Sequence, residues 1–394
     1  MADPTPAAAA AAAPAAPASA PAPESSTSAP PAAAAPAVAP AAAPAAASPP
    51  AQASTAPAAA ATSPAADDAP IDPDANIEID DALRDDDSAI GSQVSAFTES
   101  LSSSVVDYPI KHGRRYHKFR SGAYPFPNDE DEMDRLDMAH ELMYVGTGEK
   151  HYLAPVEESK LHRILDLGTG TGIWAITIGD EFPNAEVIGN DLSAIQPTWI
   201  PPNVKFEVDD IESPWVYGAK FDWVFCRYLT ACILDWPKLV KNAYDNLNPG
   251  GWAEFQDFEF NFYSEDGSVN DDLSVRKWIL ALNEAAKKTK RELNPGSYLG
   301  GWLKDAGFTN VVHQRFKFPL GPWPKDPKYK EIGLYNIAQF EQGVEGFSLG
   351  LLVGVLGWAV EEVQVLIAGV RKDVRNPNLH IQFDFHVAYG QKPE

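Results

Sequence analysis

The stretch His162-Arg163-Ile164-Leu165-Asp166-Leu167-Gly168-Thr169-Gly170-Thr171-Gly172-Ile173-Trp174 decides how the rest of the chain is read. A short apolar run ends in an acid, three alternate glycines follow, and a helical pattern begins at Ile173. Glycine supplies the positive backbone angles of a tight turn and lets the chain approach a ligand closely. A strand, such a turn and then a helix bring backbone amides up against a ligand at the helix start. The competing reading is a tight turn without a ligand; the acid and the flanking elements weigh against it.

Working outward, the pattern alternates between short apolar runs and helical spacing. Strands are expected at Ile164–Leu167, Glu186–Asn190, Val204–Val208, Phe221–Cys226 and Trp252–Phe258. Helices fit Ile173–Glu181, Trp236–Leu247 and Leu273–Lys290, and Asn248-Pro249-Gly250-Gly251 resets the chain for a strand. Further on come a short helix at Tyr298–Ala306 and strands at Thr309–Phe318 and Ile381–Tyr389. The alternation predicts an α/β fold, a doubly wound and mainly parallel sheet with helices on both faces. Residues 319–378 are too long for a bare loop, so a helical cap over the sheet's carboxyl edge is expected there.

Upstream, Asn128 is a candidate helix cap, followed by Asp129, Glu130 and Asp131 at the positive helix end. Met133, Leu136, His140 and Met143 then share one face, which points His140 inward. Lys111 to Arg120 is basic and laced with aromatics; it reads as an ordered lead-in strip or as a nuclear-import or partner patch. Residues 67–107 carry twelve acids against Arg84, and residues 1–66 are almost wholly Ala, Pro, Ser and Thr. Both read as a disordered N-terminal tail, 1–107, ahead of a domain at 108–394.

The net charge of −24 disfavours broad contact with nucleic acid. Two cysteines, Cys226 and Cys232, exclude a disulfide framework and a cysteine-based zinc site, and no metal ligand set is expected. The apolar run Gly346 to Val360 is too short for a membrane span. An intracellular chain, in cytoplasm or nucleus, follows as the expectation.

In such folds ligands bind beyond the carboxyl ends of the strands. Four strand tips meet there: Asp166-Leu167-Gly168, Asn190-Asp191-Leu192, Asp209-Asp210-Ile211 and Cys226-Arg227-Tyr228. Asp191, about twenty residues past the glycines, suits two ribose hydroxyls. Asp209 or Asp210 can accept from an adenine amine with Ile211 against the ring, and Asp166 can hold an ammonium group. A dinucleotide fingerprint needs a glycine where Ile173 stands, which weakens a nicotinamide oxidoreductase reading. An amine, a ribose and an adenine without pyrophosphate satisfy all three acids.

The run Ile164 to Gly172 resembles the first motif of class I S-adenosylmethionine-dependent methyltransferases, and Asn248 to Trp252 resembles their turn before the fifth strand. More narrowly, the chain is similar to the fungal LaeA-like methyltransferases. The matching runs are Tyr124 to Glu130, Asp134 to His140, Gly168 to Trp174, Asp191 to Pro197, Asp209 to Glu212 and Pro249 to Glu254. The resemblance implies a seven-stranded, Rossmann-like sheet with the last strand antiparallel. It also implies S-adenosylmethionine as cofactor and a place in fungal secondary metabolism. Some members are nuclear regulators working through protein partners; others look like enzymes that methylate a small molecule. The expected donor-binding residues are Asp166, Gly168, Thr169, Gly170, Trp174, Asp191, Leu192, Asp209, Asp210, Ile211 and Arg227. Trp174, Tyr228 and Trp252 are candidates to face the sulfonium. His140, His151 and Glu254 are candidate bases, none singled out by its spacing.

Overall fold

A computed structural model describes residues 108–117, 120, 122 and 124–394. The expected disordered tail at 1–107 lies outside the described residues, as do Lys118 and Phe119 of the basic strip. The ordered chain opens with a two-stranded hairpin, β1 (Ile110–Lys111) and β2 (Arg114–Arg115), then helix α1 (Glu130–Gly146). The alternating region follows: β3 (Arg163–Leu167), α2 (Ile173–Glu181), β4 (Glu186–Asp191), β5 (Val204–Val208), β6 (Phe221–Arg227), α3 (Trp236–Asn246) and β7 (Leu247–Tyr263). Helices α4 (Ser274–Thr289) and α5 (Leu299–Ala306) precede β8 (Thr309–Pro319). Then come α6 (Pro327–Ser348), a π-helical turn at Leu349–Val353, α7 (Val360–Val374) and β9 (Gln382–Gln391).

The large sheet has the order β5-β4-β3-β6-β7-β9-β8. Strands β3 to β7 run parallel, and β9 is antiparallel to both its neighbours, β7 and β8. This is the seven-stranded sheet expected from the sequence, with its last strand reversed. The order switches direction between β3 and β6, which is where a crevice opens.

Two departures have physical causes. Strand β7 runs five residues beyond the expected Phe258, because Phe258, Phe260 and Phe262 continue the two-residue period and bury on one face. They meet Phe383 and Phe385 of β9, with ring centroids 4.8 Å apart for Phe258–Phe385 and 4.9 Å for Phe262–Phe383. The helix cap is Asp129 rather than Asn128: the Asp129 carboxylate accepts from Glu132 N at 3.1 Å. The same carboxylate takes two hydrogen bonds from Arg114, both at 2.6 Å, and Arg115 donates to the Asn128 carbonyl and to Glu130. Arg114 and Arg115 of the basic strip therefore clamp the start of α1, as the lead-in reading describes. Of the two cysteines, both are free and buried. No helix among the described residues is long and apolar enough to cross a membrane.

Phe385 is fully buried between Phe258 and Phe318. Phe385→Ala is expected to cost about 3–5 kcal/mol, read as a lowered urea midpoint with an unchanged slope.

Candidate active-site cleft

A cleft of about 130 Å³ opens at the carboxyl ends of β3, β4 and β6, closed on its outer side by α1. Every expected donor-binding residue lines it: Asp166, Gly168, Thr169, Gly170, Trp174, Asp191, Leu192, Asp209, Asp210, Ile211 and Arg227. The glycine turn adopts the positive φ angles its residues permit, 68° at Gly168, 58° at Gly170 and 83° at Gly172. A Cβ at Gly172 would lie 2.4 Å from the Phe206 ring.

The turn differs from expectation in one respect. Four of its amides, those of Gly168, Thr169, Gly170 and Gly172, are spent within the fold. Gly168 N and Thr169 N donate to the side chain and backbone of Asn190, at 3.4 and 2.9 Å. Gly170 N donates to Asp191 Oδ2 at 2.9 Å, and Gly172 N to the Thr169 carbonyl. A phosphate nest needs such groups free.

The carboxylates carry the polarity instead. Asp166 is buried and accepts from the Thr169 hydroxyl at 2.6 Å. Burial pushes its carboxyl up to about 7, with Thr169 and the Arg227 charge opposing. Asp191 accepts from Gly170 N and Ser193 N, both at 2.9 Å, and burial lifts it to about 6 against those bonds. A carboxylate has about four acceptor positions, so each oxygen of Asp191 keeps one. Asp209 and Asp210 follow β5 directly; Asp210 accepts from Glu212 N and Ser213 Oγ and pairs with Arg120.

Arg227 ends β6 facing α1. Burial pulls its guanidinium down to about 10 despite Asp166. Its Nη2 lies 2.7 Å from His140 Nδ1. A guanidinium has only donors, so Nδ1 must accept, and the His140 proton sits on Nε2. Burial and the neighbouring Arg227 push His140 down to about 2. His140 is therefore a neutral donor on the cleft wall, not a base.

The other candidates separate. Trp174 stacks on Phe225 with centroids 3.7 Å apart and donates to the His151 carbonyl, while still lining the cleft. Tyr228 lines it too, at a positive φ of 59°. Trp252 does not; it packs beside Tyr389, outside the cleft lining. Glu254 is fully buried and accepts from Leu153 N, Ala154 N and Gln256, which makes it a structural tie rather than a base. His151 stacks on Tyr144 and is absent from the lining. No residue of 319–378 lines the cleft; its helix α6 packs on α1, with Gln339 and Gly343 against Arg135.

Sequence reasoning missed the group that joins these parts. Arg135 is 2% exposed; it donates to Glu132 at 2.7 Å and to Tyr228 Oη and Gln339 Oε1 at 3.0 Å each. Asp257 was missed too. Its buried carboxyl accepts from Leu229 N and Phe258 N and so holds the 228–233 loop on the cleft wall. Charged residues inside a helical or strand pattern look like solvent-facing positions, so periodicity gives no sign of either.

A family model described as a methyltransferase domain matches residues 135–314. Methyltransferase pytC of Aspergillus terreus is 46% identical over 295 residues, 75% of this chain and 91% of its own. Secondary metabolism regulator LAE1 of Cochliobolus heterostrophus is 35% identical over 291 residues, 72% of this chain and 95% of its own. Protein-methionine methyltransferase laeA of Emericella nidulans is 36% identical over 294 residues, covering 72% and 76%.

With His140 held neutral, its ring resonances are expected to stay fixed between pH 5 and 8 in a histidine NMR titration. A midpoint near the ordinary histidine value, about 6.5, would contradict the assigned pairing with Arg227.

Proposed function

The chain belongs to the LaeA-like family of fungal secondary-metabolism methyltransferases, and on that premise we propose that this cleft binds S-adenosylmethionine and a small-molecule acceptor side by side. One observation carries the reading. Carboxylates stand at the carboxyl ends of three adjacent parallel strands, β3, β4 and β5, while the amides of Gly168, Thr169, Gly170 and Gly172 in the glycine turn are already bonded. That arrangement suits a ligand with an amine, a ribose and an adenine, and disfavours a pyrophosphate.

In this reading Asp166 meets the amino group, Asp191 the ribose hydroxyls, and Asp209 or Asp210 with Ile211 the adenine. Thr169 and Leu192 line the same path, and the Arg227 guanidinium and the His140 Nε2–H are donors for the carboxylate. A buried carboxyl with a raised pKa is poorly solvated, so a cationic amine is a favourable partner for Asp166. When bound, the donor supplies an electrophilic methyl on a sulfonium. The protein's task is then chiefly to hold the acceptor atom in line and exclude water. Leu136, Met143, Leu229 and Ile233 form an apolar part of the cleft wall, with Tyr228 among its polar groups. That wall favours a small, largely apolar acceptor with one polar handle.

A second reading, a regulator with a protein acceptor, draws support from the 35–36% identical relatives, a secondary metabolism regulator and a protein-methionine methyltransferase. Profiling separates the two. The enzyme reading expects compounds lighter by one methyl to accumulate in a deletion strain and in a Gly170→Arg strain alike. Loss of whole pathways would favour the regulator.

Direct tests concern the donor. Gly170→Arg is expected to abolish S-adenosylhomocysteine binding by calorimetry, because the new side chain enters the cleft beside Leu136. Asp191→Asn is expected to weaken it by about ten- to a hundredfold, the worth of charge-assisted hydrogen bonds. The pH dependence has a definite sign. Asp166 is protonated below about 7, and only its anion attracts the amine. Affinity is therefore expected to rise from pH 6 to 8 in the wild type and to rise less in Asp166→Asn, where Asp191, lifted to about 6, is the donor-site carboxyl left to titrate.

A further inference from the structure

The way Arg135 holds Tyr228 fixes which partner the phenol can take. The hydrogen-bond chain behind it starts at a group that can only accept, the Pro319 carbonyl at the end of β8. Asn336 Nδ2 donates to that carbonyl at 2.8 Å, and Gln339 Nε2 donates to Asn336 Oδ1 at 3.0 Å. Gln339 thereby turns Oε1 toward Arg135, whose Nη1 donates to it at 3.0 Å. The other proton of the same Nη1 goes to Tyr228 Oη, also at 3.0 Å. Asn336, Gln339 and Arg135 are each at most 3% exposed, so water does not compete for these bonds.

A guanidinium carries donors and no acceptor, and it keeps its charge at any working pH. Tyr228 Oη must therefore receive from Arg135, and its own proton must point elsewhere. Tyr228 lines the cleft, and no described residue accepts that proton. The phenol thus presents a donor, with its acceptor side already taken, to whatever lies beside it.

The backbone gives a second, independent sign. Tyr228 has a φ of 59°, a conformation that residues with a side chain rarely adopt. It is held there from both sides. Tyr228 N donates to the Gln256 carbonyl at 2.9 Å, and Leu229 N donates to the buried Asp257 carboxyl at 2.8 Å. The ring meets Phe258 edge-on, with centroids 5.1 Å apart. Strain kept in place by this many fixed groups gathers at ligand sites.

We propose that Tyr228 determines specificity on the acceptor side of the cleft. It selects an acceptor molecule whose polar handle is a hydrogen-bond-accepting oxygen, a carbonyl or the enolate formed from one. It disfavours a molecule whose handle can only donate. The proposal rests on the reading of this cleft as the methyl-transfer site and deepens it. Arg135 and Gln339 are positioning residues: through them α6 takes part in recognition without lining the cleft.

The test titrates two probes of one shape into the full-length chain and reads affinity by ligand-observed NMR. Acetophenone and α-methylstyrene differ in a carbonyl oxygen against a methylene. The wild type is expected to bind the ketone about three- to tenfold more tightly, the worth of one hydrogen bond. Tyr228→Phe keeps the ring and is expected to bring the two affinities together by weakening the ketone alone; a merely structural loss would weaken both. Arg135→Gln places an acceptor where only donors stood and is expected to shrink the preference, with Tm reporting its folding. If that variant does not fold, Tyr228→Phe decides. The proposal is overturned if the wild type shows no preference for the ketone, or if the preference survives Tyr228→Phe or a folded Arg135→Gln. The preference is read with and without S-adenosylhomocysteine, whose own titration tests the donor reading, so the two fail separately.

Discussion

The buried guanidinium of Arg135 is the constraint on which the cleft depends. Burial works against its charge, yet Glu132 and the surrounding oxygens outweigh that and hold it firmly protonated. It reaches three elements at once: its own helix through Glu132, α6 through Gln339, and the 228–233 loop through Tyr228. Gly343 makes the space, since a Cβ there would sit 2.7 Å from Arg135 Cδ. Breaking a buried pair leaves a stranded charge and costs several kcal/mol, more than a surface ion pair contributes. The lid helix is thus fixed to its support by a polar interaction that water cannot easily replace.

The cleft itself is arranged the other way. Asp166 and Asp191 are enclosed with few partners, and their carboxyl groups are lifted out of the ordinary range by burial. Perturbed groups of this kind gather where a ligand is to be received. Rigidity is concentrated around the site, and unsatisfied acidity within it. The spent amides of the glycine turn belong to the rigid part: Asn190 and Asp191 hold the turn in shape, and the acids face the ligand space.

Much of this was legible from the residues. Short apolar runs bounded by acids gave β3 to β6 nearly to the residue, since β3 and β5 have no competing helical period. The strand-tip acids followed from the fold rule that ligands bind at carboxyl ends. The lead-in helix was less legible because it is buried on two sides. Met133, Leu136, His140 and Met143 read as its inward face, and all but Met133 line the cleft. The adjoining face, with Glu132, Arg135, Ala139 and Leu142, is buried as well, Arg135 against α6. A two-sided helix with charges in its interior violates the single-stripe pattern that periodicity detects. The position of the 319–378 segment depends on contacts remote in sequence, such as Gln339 to Arg135, and no local signal carries those.

Helix α1 lies outside the alternating strand–helix core, yet it supplies part of the cleft wall. One side of the cleft is written into strand tips, where a changed residue disturbs the sheet. Another is written into a helix that borders the glycine turn, since Leu136 Cδ1 lies 3.6 Å from where a Cβ at Gly170 would stand. A substitution on that helix is therefore felt by the turn as well as by the wall, and the two sides of the cleft are bound to change together.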